Sequence, residues 1–507
     1  MKTRQDPHIV VVGAGVGGLT AAALLVKVGL QVTVFEAHVY PGGSAGTFYH
    51  QGYRFDAGAT LAGGFAPGGP HERIGQMLGI TWPVQPVNPA WVTLIEGKPV
   101  FQWADRERWR EEIAQNFPES GAFWRIQEWL AEQAWQVSAR DFPYPPQSLQ
   151  ELGRLAAALR PTTLLAAPFG LLTIGHLMPR RASQRLKVFV DSQLLISAQT
   201  TSPFANALYG SAALDLPRRG VNHVRGGIGQ LAGTLTKWLT DNGARLYYRQ
   251  QVERIQLGED GWIRVKTRKG LEVEADGVVA NLTPWGLAEV LGEHLPRRLQ
   301  DEMQSRPKGW GAFTLYLGLE RSFLNNLPTD HFQVIVDVNR PLGDGNSVFI
   351  SLSPEDDPLR APPGMRAATL STHTPVEDWW FDDRSAYEEK RQFYTEKMLA
   401  TAEMALPGIR RAVRLCLPGT PRTFAFYTRR PYGMVGGFPQ TSLLAARGSW
   451  TGIPNIWLVG DSIFPGQSTA GVTLGAIRVA RQVVDYYAER RKAKTIIHLK
   501  RDMSHST

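Results

Sequence analysis

Three glycines, Gly13, Gly15 and Gly18, stand in G-x-G-x-x-G register within GAGVGG, and Glu36 follows Gly18 by 18 residues. That combination binds dinucleotides. Gly13 permits a tight turn, Gly15 lets backbone approach a pyrophosphate, and Gly18 lets a helix pack closely on a strand. Glu36 lies near the spacing of a carboxylate that takes ribose hydroxyls. A second acid, Asp461, directly follows Gly460 in IWLVGDSIFPGQSTAGV. Candidates for the group that handles a proton are His373 in STHT, and His223 or Arg225 in GVNHVRGG. No pattern singles out one of them as a base, and a lone histidine is more often a hydrogen-bonded structural residue.

The elements that must position these residues are legible around them. His8–Val12 is a short β-branched run, Leu19–Val28 an alanine- and leucine-rich helix stopped by Gly29, and Gln31–Phe35 a second strand ending on Glu36. This is one βαβ unit, whose helix N-terminus, with Ala14 and Gly17 in the turn, offers N–H groups and a positive dipole end to phosphates. At the other end of the chain, the strand Ile456–Val459 runs into Gly460-Asp461, a glycine-containing loop, and a helix expected near Gly471 and Val472. Ligand contacts in α/β sheets gather at the carboxyl ends of strands. No second G-x-G-x-x-G with strand and acid is present. One tightly held dinucleotide contacted from both ends of the chain suits FAD better than NAD.

Composition narrows the class. The 507 residues are too many for one simple core. The single cysteine, Cys416, excludes an intrachain disulfide, a cysteine-bound metal cluster and a CxxC redox pair. No metal site is expected. MKTRQDP leads straight into the first strand and leaves no room for a secretory signal. The net charge is +9, of which six Lys/Arg and one Asp between Arg490 and Thr507 supply +5. Such a tail is expected to be solvated and disordered. It would also favour an anionic membrane surface, at about 1 kcal/mol per basic residue. Nucleic acid is not expected as a partner, because no recognition motif accompanies the charge.

Between the two ends, AHVYPGGSAGTFYHQGYRFDAGAT is glycine-rich and reads as a continuing cofactor wall. Residues 100–160 read as amphipathic helix with many tryptophans, interrupted at Pro143, Pro145 and Pro146. PTTLLAAPFGLLTIGHLM, residues 161–178, carries no acidic or basic side chain except His176, and arginines flank it at 160, 180 and 181. It is near the lower length limit of a membrane span, and Pro168 and Gly170 interrupt it. Two readings fit: a buried core helix, or a monotopic surface dipping into one leaflet. Ala182–Ser197 reads as a helix. In residues 220–257 a glycine-rich turn leads to a helix with Leu231, Leu235, Trp238 and Leu239 on one face, then a strand with Leu246/Tyr248 and Val252/Ile255 alternation. Leu271–Asn281 reads as a strand pair. From Gly311 the chain reads as strands, AFTLYLGL, FQVIV, SVFISLS and RAATLSTHT, followed by a helix Ala386–Ala405.

GAGVGG with Glu36, YPGG, FDAGAT, the VRGGIGQL block with QQVERI, and GDSIFPGQSTAGV together resemble the FAD-dependent phytoene desaturase and carotenoid isomerase family, in order and as far as Tyr487. That family belongs to a wider group with monoamine-oxidase-like folds. SQRLKVFVDSQLLISAQ, STHTPVEDW and YGMVGGFPQ are similar to the C-3′,4′ desaturases of the cyanobacterial and deinococcal kind. The resemblance implies that Gly13, Gly15 and Gly18 hold the pyrophosphate and Glu36 the adenosine ribose. It places Gly43 and Ser44 along the phosphates and ribityl chain, and Gly58, Ala59 and Thr60 near the flavin ring. Val252 backbone would meet adenine, Asp461 phosphate or ribityl oxygens, and Gly471 and Val472 the pyrimidine side. Family members often carry another glycine where this chain has Ser468-Thr469, so the loop after Asp461 is expected to differ in shape.

The fold expected is α/β: a Rossmann-like FAD-binding domain (residues 1–100, 218–300 and 441–489), a mixed-sheet substrate domain (301–440), a helical, membrane-contacting region (101–217) and the basic tail (490–507). The activity implied is desaturation of a C40 or related isoprenoid by hydride transfer to flavin. Reoxidation would be by an acceptor such as a quinone or oxygen, at the cytoplasmic surface of a membrane. Cis–trans isomerisation with reduced FAD is the nearest alternative. More distant ones are amine oxidation, which needs an aromatic cage, and lipid escort, which needs no working FAD site.

Overall fold

The computed structural model describes residues 7–504 apart from 141–142, 259–260, 306–308 and 325, and gives backbone alone beyond Arg490. His8–Val12, every residue buried, pairs in parallel with Gln31–Phe35 on one side and Gly277–Ala280 on the other. Arg245–Tyr247 and Ile456–Leu458 complete a five-stranded parallel sheet in the order 245–247, 31–35, 8–12, 277–280, 456–458. Strands buried on both faces are near-continuously apolar, as HIVVV, GVVA and IWL are. The helix Val16–Lys27 crosses between the first two strands and packs against the last helix, Thr469–Ser504, and against Gln230–Asp241.

The second layer is a seven-stranded mixed sheet, in the order 413–419, 310–320, 365–375, 347–352, 331–335, 92–95, 98–101. Only His331–Ile335 with Val92–Ile95 is parallel. Helix Arg384–Glu403 covers it through Tyr394, Met398 and Ala402. A third body is helical. Its core joins Trp109, Phe117, Phe123 and Trp124 to Phe189 and Leu194 of the helix Gln184–Ala198.

Several expectations are corrected by this arrangement. Val92–Ile95 and most of Lys98–Phe101 lie within the first hundred residues yet extend the seven-stranded sheet, because alternation specifies a strand but not its sheet. Leu271–Asn281 is not a pair. Glu272–Ala275 joins an antiparallel sheet with Val252–Leu257 and Ile263–Thr267, whereas Gly277–Ala280 sits inside the parallel one. The strand expected around Leu246 to Ile255 is likewise split between those two sheets. The helical stretch after residue 100 begins at Arg106, behind the Asp105 cap. The helix expected at Ala386–Ala405 runs Arg384–Glu403 from its Asp383 cap. The basic stretch expected as a disordered tail continues the last helix to Ser504; residues 505–507 lie outside the described residues.

Residues 161–178 form neither a span nor a buried helix. Pro161–Ala166, a 3-10 turn at Ala167–Leu171 and Ile174–Leu177 follow one another as separate short pieces, as Pro168 and Gly170 demand. Leu164, Leu165 and Leu171 are 55%, 69% and 74% exposed. No helix among the described residues is long and apolar enough to cross a membrane.

His71 is buried between Phe65 and Trp82, and burial pushes its pKa down to about 3. The unfolded chain protonates this imidazole near 6.5. Protons therefore favour the unfolded chain as pH falls from about 6.5 towards 3, and the group is neutral to stability above that window. His71→Phe is expected to flatten this part of the acid limb in urea midpoints measured from about pH 7 down to about pH 4.

Candidate functional site

The carboxyl ends of the parallel strands open on a cavity of about 1170 Å³ that continues to the seven-stranded sheet. Its inner end is built of backbone. Gly13, at φ +94, donates its N–H to Phe35 O at 2.7 Å. A Cβ on Gly17 would lie 3.1 Å from the Cα of Gly460, and one on Gly18 would lie 2.5 Å from Gly13 O. Helix Val16–Lys27 has no side-chain cap at its N-terminus, and Gly15, Val16 and Gly17 face the cavity there. This is a cradle for an anion: an uncapped helix end, a positive dipole and no side chains in the way.

Glu36 lines the same end. Its two carboxylate oxygens accept N–H bonds from Ala14 and His38, both at 2.7 Å. Burial raises its pKa, against the lowering effect of those backbone bonds. Gly42 N–H bonds Ala14 O, and Ala59 N–H bonds Ser44 O, so the YPGG and FDAGAT loops are laced to each other and to the first turn. Tyr316 of the mixed sheet donates its hydroxyl to Ala57 O at 2.6 Å and fixes that second loop against the other layer.

Gly13, Gly15, Gly17, Glu36, Gly43, Ser44, Gly58, Ala59, Thr60, Val252, Gly460, Asp461 and Val472 are all brought to the cavity wall. Three of the expected residues are not. Ala14 is turned into the core, Gly18 packs against Gly13 and Asn281, and Gly471 packs on Gly466 O and donates its N–H to Ser468 Oγ at 3.0 Å. Their part is the shape of the wall. The last helix starts at Thr469, two residues before Gly471. Ser468 holds φ +78, the left-handed conformation that a glycine usually supplies. The Asp461 carboxylate is paired with Arg430 at 2.6 Å.

Of the three candidate residues only His373 lines the cavity, and burial pushes its pKa down to about 4, which keeps it neutral. His223 points away from the cavity towards Asp330 and His331, and Arg225 is exposed. Sequence reasoning missed Asn281 and Arg430. Asn281 follows a parallel strand and its side chain fills the space between Gly15 and Gly460, a position the strand-end rule would have flagged. Arg430 carries no such signal. The outer half of the cavity is walled by Trp91, Ile196, Leu216, Phe349, Phe424 and Val435, with Gln193, Ser371 and Thr314 among them. Among the described residues no group of His, Cys, Asp and Glu is placed to hold a metal ion.

The glycine cradle, the uncapped helix end and Glu36 fit a dinucleotide. Comparison with known proteins agrees. The chain belongs to the flavin containing amine oxidoreductase family, whose profile matches residues 169–484, and an NAD(P)-binding Rossmann-like profile matches residues 11–78. It is an FAD-dependent oxidoreductase. Within that family it is similar to the chloroplastic prolycopene isomerase of Daucus carota, 26% identical with 94% of this chain and 80% of that protein covered. It is also similar to the neurosporene-forming phytoene desaturase of Rhodobacter capsulatus, 24% identical with 94% of each chain covered. A 4,4′-diapophytoene desaturase of Methylomonas sp is 23% identical, with 90% of this chain and 91% of that protein covered. In fold it is similar to a putrescine oxidase double mutant, with a TM-score of 0.64, 17% identity and coverage of 95% and 99%.

Gly18→Ala is expected to push the first helix off its strand and weaken FAD binding by at least about tenfold, or about 1.4 kcal/mol. Flavin fluorescence titration of the apoprotein measures this, with melting as a control for folding.

Proposed function

We propose that the protein desaturates a long isoprenoid of the carotenoid class, with the C-3′,4′ bond as the position the sequence motifs favour. The observation that carries this reading is the cavity itself: one continuous space lined by the glycine cradle and Glu36 and also by Trp91, Ile196, Leu216, Phe349, Phe424 and Val435, with Gln193, Ser371 and Thr314 among them. The bound FAD supplies a hydride acceptor. The chain's own residues do the rest. Trp91, Phe349 and Phe424 exclude water and hold a polyene in one orientation. Their ring faces favour the positive charge that develops along it. Similarity to carotenoid desaturases over nearly the whole chain supports the same substrate class.

Cis–trans isomerisation is the second reading, favoured by the similarity to the prolycopene isomerase. Incubation with a panel of carotenoids in liposomes, once with a quinone and once anaerobically with the flavin reduced and no acceptor, separates the two. Desaturation removes two hydrogens from the product mass and shifts absorbance to longer wavelength; isomerisation changes only the retention time. No change in any carotenoid would overturn both readings.

Delivery of so apolar a substrate calls for a membrane surface, and the proposal includes a peripheral position on the cytoplasmic face and an acceptor such as a quinone or oxygen. The exposed Leu164, Leu165 and Leu171 support it, with exposed Leu149 and Phe204 nearby in sequence and Arg160, Arg180 and Arg181 flanking. The triple change of Leu164, Leu165 and Leu171 to Ser removes about 1.5–3 kcal/mol of burial per residue. It is expected to cut flotation with anionic liposomes at least about tenfold while leaving the flavin spectrum intact.

A further inference from the structure

A line of hydrogen-bonding side chains leaves the cavity at Thr60 and passes through the mixed sheet. Thr60 Oγ1 lies 2.6 Å from Ser351 Oγ, and Ser351 Oγ lies 2.9 Å from His331 Nδ1. His331 Nε2 lies 3.2 Å from His223 Nε2, which lies 3.2 Å from Asp330 Oδ2. Ser351 and His331 face each other across two antiparallel strands, so sheet register sets that link. His331, Ser351 and His223 are buried, whereas the Asp330 side chain is 27% exposed and lies outside the cavity wall. A buried pair of histidines bonded nitrogen to nitrogen adds little to stability that an apolar pair would not. It does join the cavity to solvent without a gap.

We propose that Thr60, Ser351, His331, His223 and Asp330 form a proton relay between the cavity and the protein surface. The inference rests on the oxidoreductase reading of the site, since removing hydride from a carbon leaves a proton to dispose of. Outward, Thr60 Oγ1 takes a proton from the cavity and gives its own to Ser351, and Ser351 gives its own to His331 Nδ1. His331 releases its Nε2 proton to His223 Nε2. The imidazolium so formed passes that Nε2 proton to Asp330 Oδ2, 3.2 Å away, and the carboxyl, whose side chain is 27% exposed, releases it to water. Every intermediate group gains one proton and loses one, and no electrons move. Inward transfer is the reverse.

The charges around the line suit passage rather than storage. Burial, followed by the nearby His223, pushes the His331 pKa well down; Arg366 and Arg360 add to this and Asp330 opposes it. Burial alone would raise the Asp330 carboxyl, but the His223 hydrogen bond and the Arg366 guanidinium outweigh it and bring the carboxyl to about 2. The exit therefore stays anionic and His331 stays neutral between transfers. Glu355, at 3.6 Å from Arg366, is the further charged group at this edge.

The test uses FAD-loaded protein without substrate. The flavin is photoreduced anaerobically, and proton uptake is followed with an indicator dye. Thr60→Val, Ser351→Ala and Asp330→Asn are expected to slow uptake at least about tenfold, with flavin content and melting temperature unchanged for Ser351→Ala, which lies off the cavity wall. Histidine-selective ¹⁵N spectra of the same protein give a second readout: Thr60→Val should move the ring signals of His331 and His223 and leave those of His71 in place. Uptake at the wild-type rate in Thr60→Val, or a His223 signal indifferent to that change, overturns the relay. Because no carotenoid is present, a failed relay leaves the desaturase assignment standing, and a failed desaturase assay leaves the relay tested.

Discussion

Everything in this molecule depends on one close approach. Gly17, in the first turn of the first helix, and Gly460, after the last parallel strand, bring their backbones so near that a single Cβ at Gly17 would lie 3.1 Å from its neighbour. The Asn281 side chain sits against Gly15 and Gly460, on either side of that contact. Three stretches of chain, far apart in sequence, therefore meet where the cavity begins, and a backbone wall results because no side chain fits. An anion can reach the helix N-terminus only under that condition. The loops carrying Ser44 and Thr60 are then hung from this point by main-chain bonds and pinned to the other sheet by Tyr316.

Much of this was legible in the residues. The opening βαβ unit announces itself because a tight turn, a helix and an acid at fixed spacing coincide in little besides a dinucleotide fold. The strands after Gly311 are legible from alternation. What alternation does not contain is the partner. Val92–Ile95 reads equally well as an edge of either sheet, and Leu271–Asn281 reads as a hairpin until its two halves go to different layers. The apolar run at 161–178 misleads for a related reason: hydrophobicity reports that a segment avoids water, not whether protein or lipid covers it. Its exposed leucines answer that only against burial in protein.

The site divides in the same way. Residues that line the wall through backbone are found from spacing, as Gly15 is, or from the family resemblance, as Gly58 is. Residues that act through side chains arriving from elsewhere are not. Arg430 meets Asp461 from a loop of no recognisable pattern, and His331 meets Ser351 only because two strands pair in one register. In the sequence His223 stands out as a titratable group near a glycine turn. Its place in the fold differs from that expectation: it lies behind the wall, with its ring turned to Asp330. Among the three histidine and arginine candidates, the one at the wall, His373, is held neutral by burial.

The order of the five parallel strands has a consequence for biosynthesis. The strand Gly277–Ala280 takes its last neighbour from Ile456–Leu458. A chain emerging from the ribosome N-terminus first thus carries an unpaired apolar edge while the five mixed-sheet strands between residues 310 and 419 are made. Long-range pairing of this kind is slow and exposes such edges to aggregation. The Gly460 half of the cradle arrives with that strand, so the nucleotide pocket closes only after the strands between residues 310 and 419 have been made. The flavin is thereby a ligand of the assembled sheet, which it stabilises by mass action.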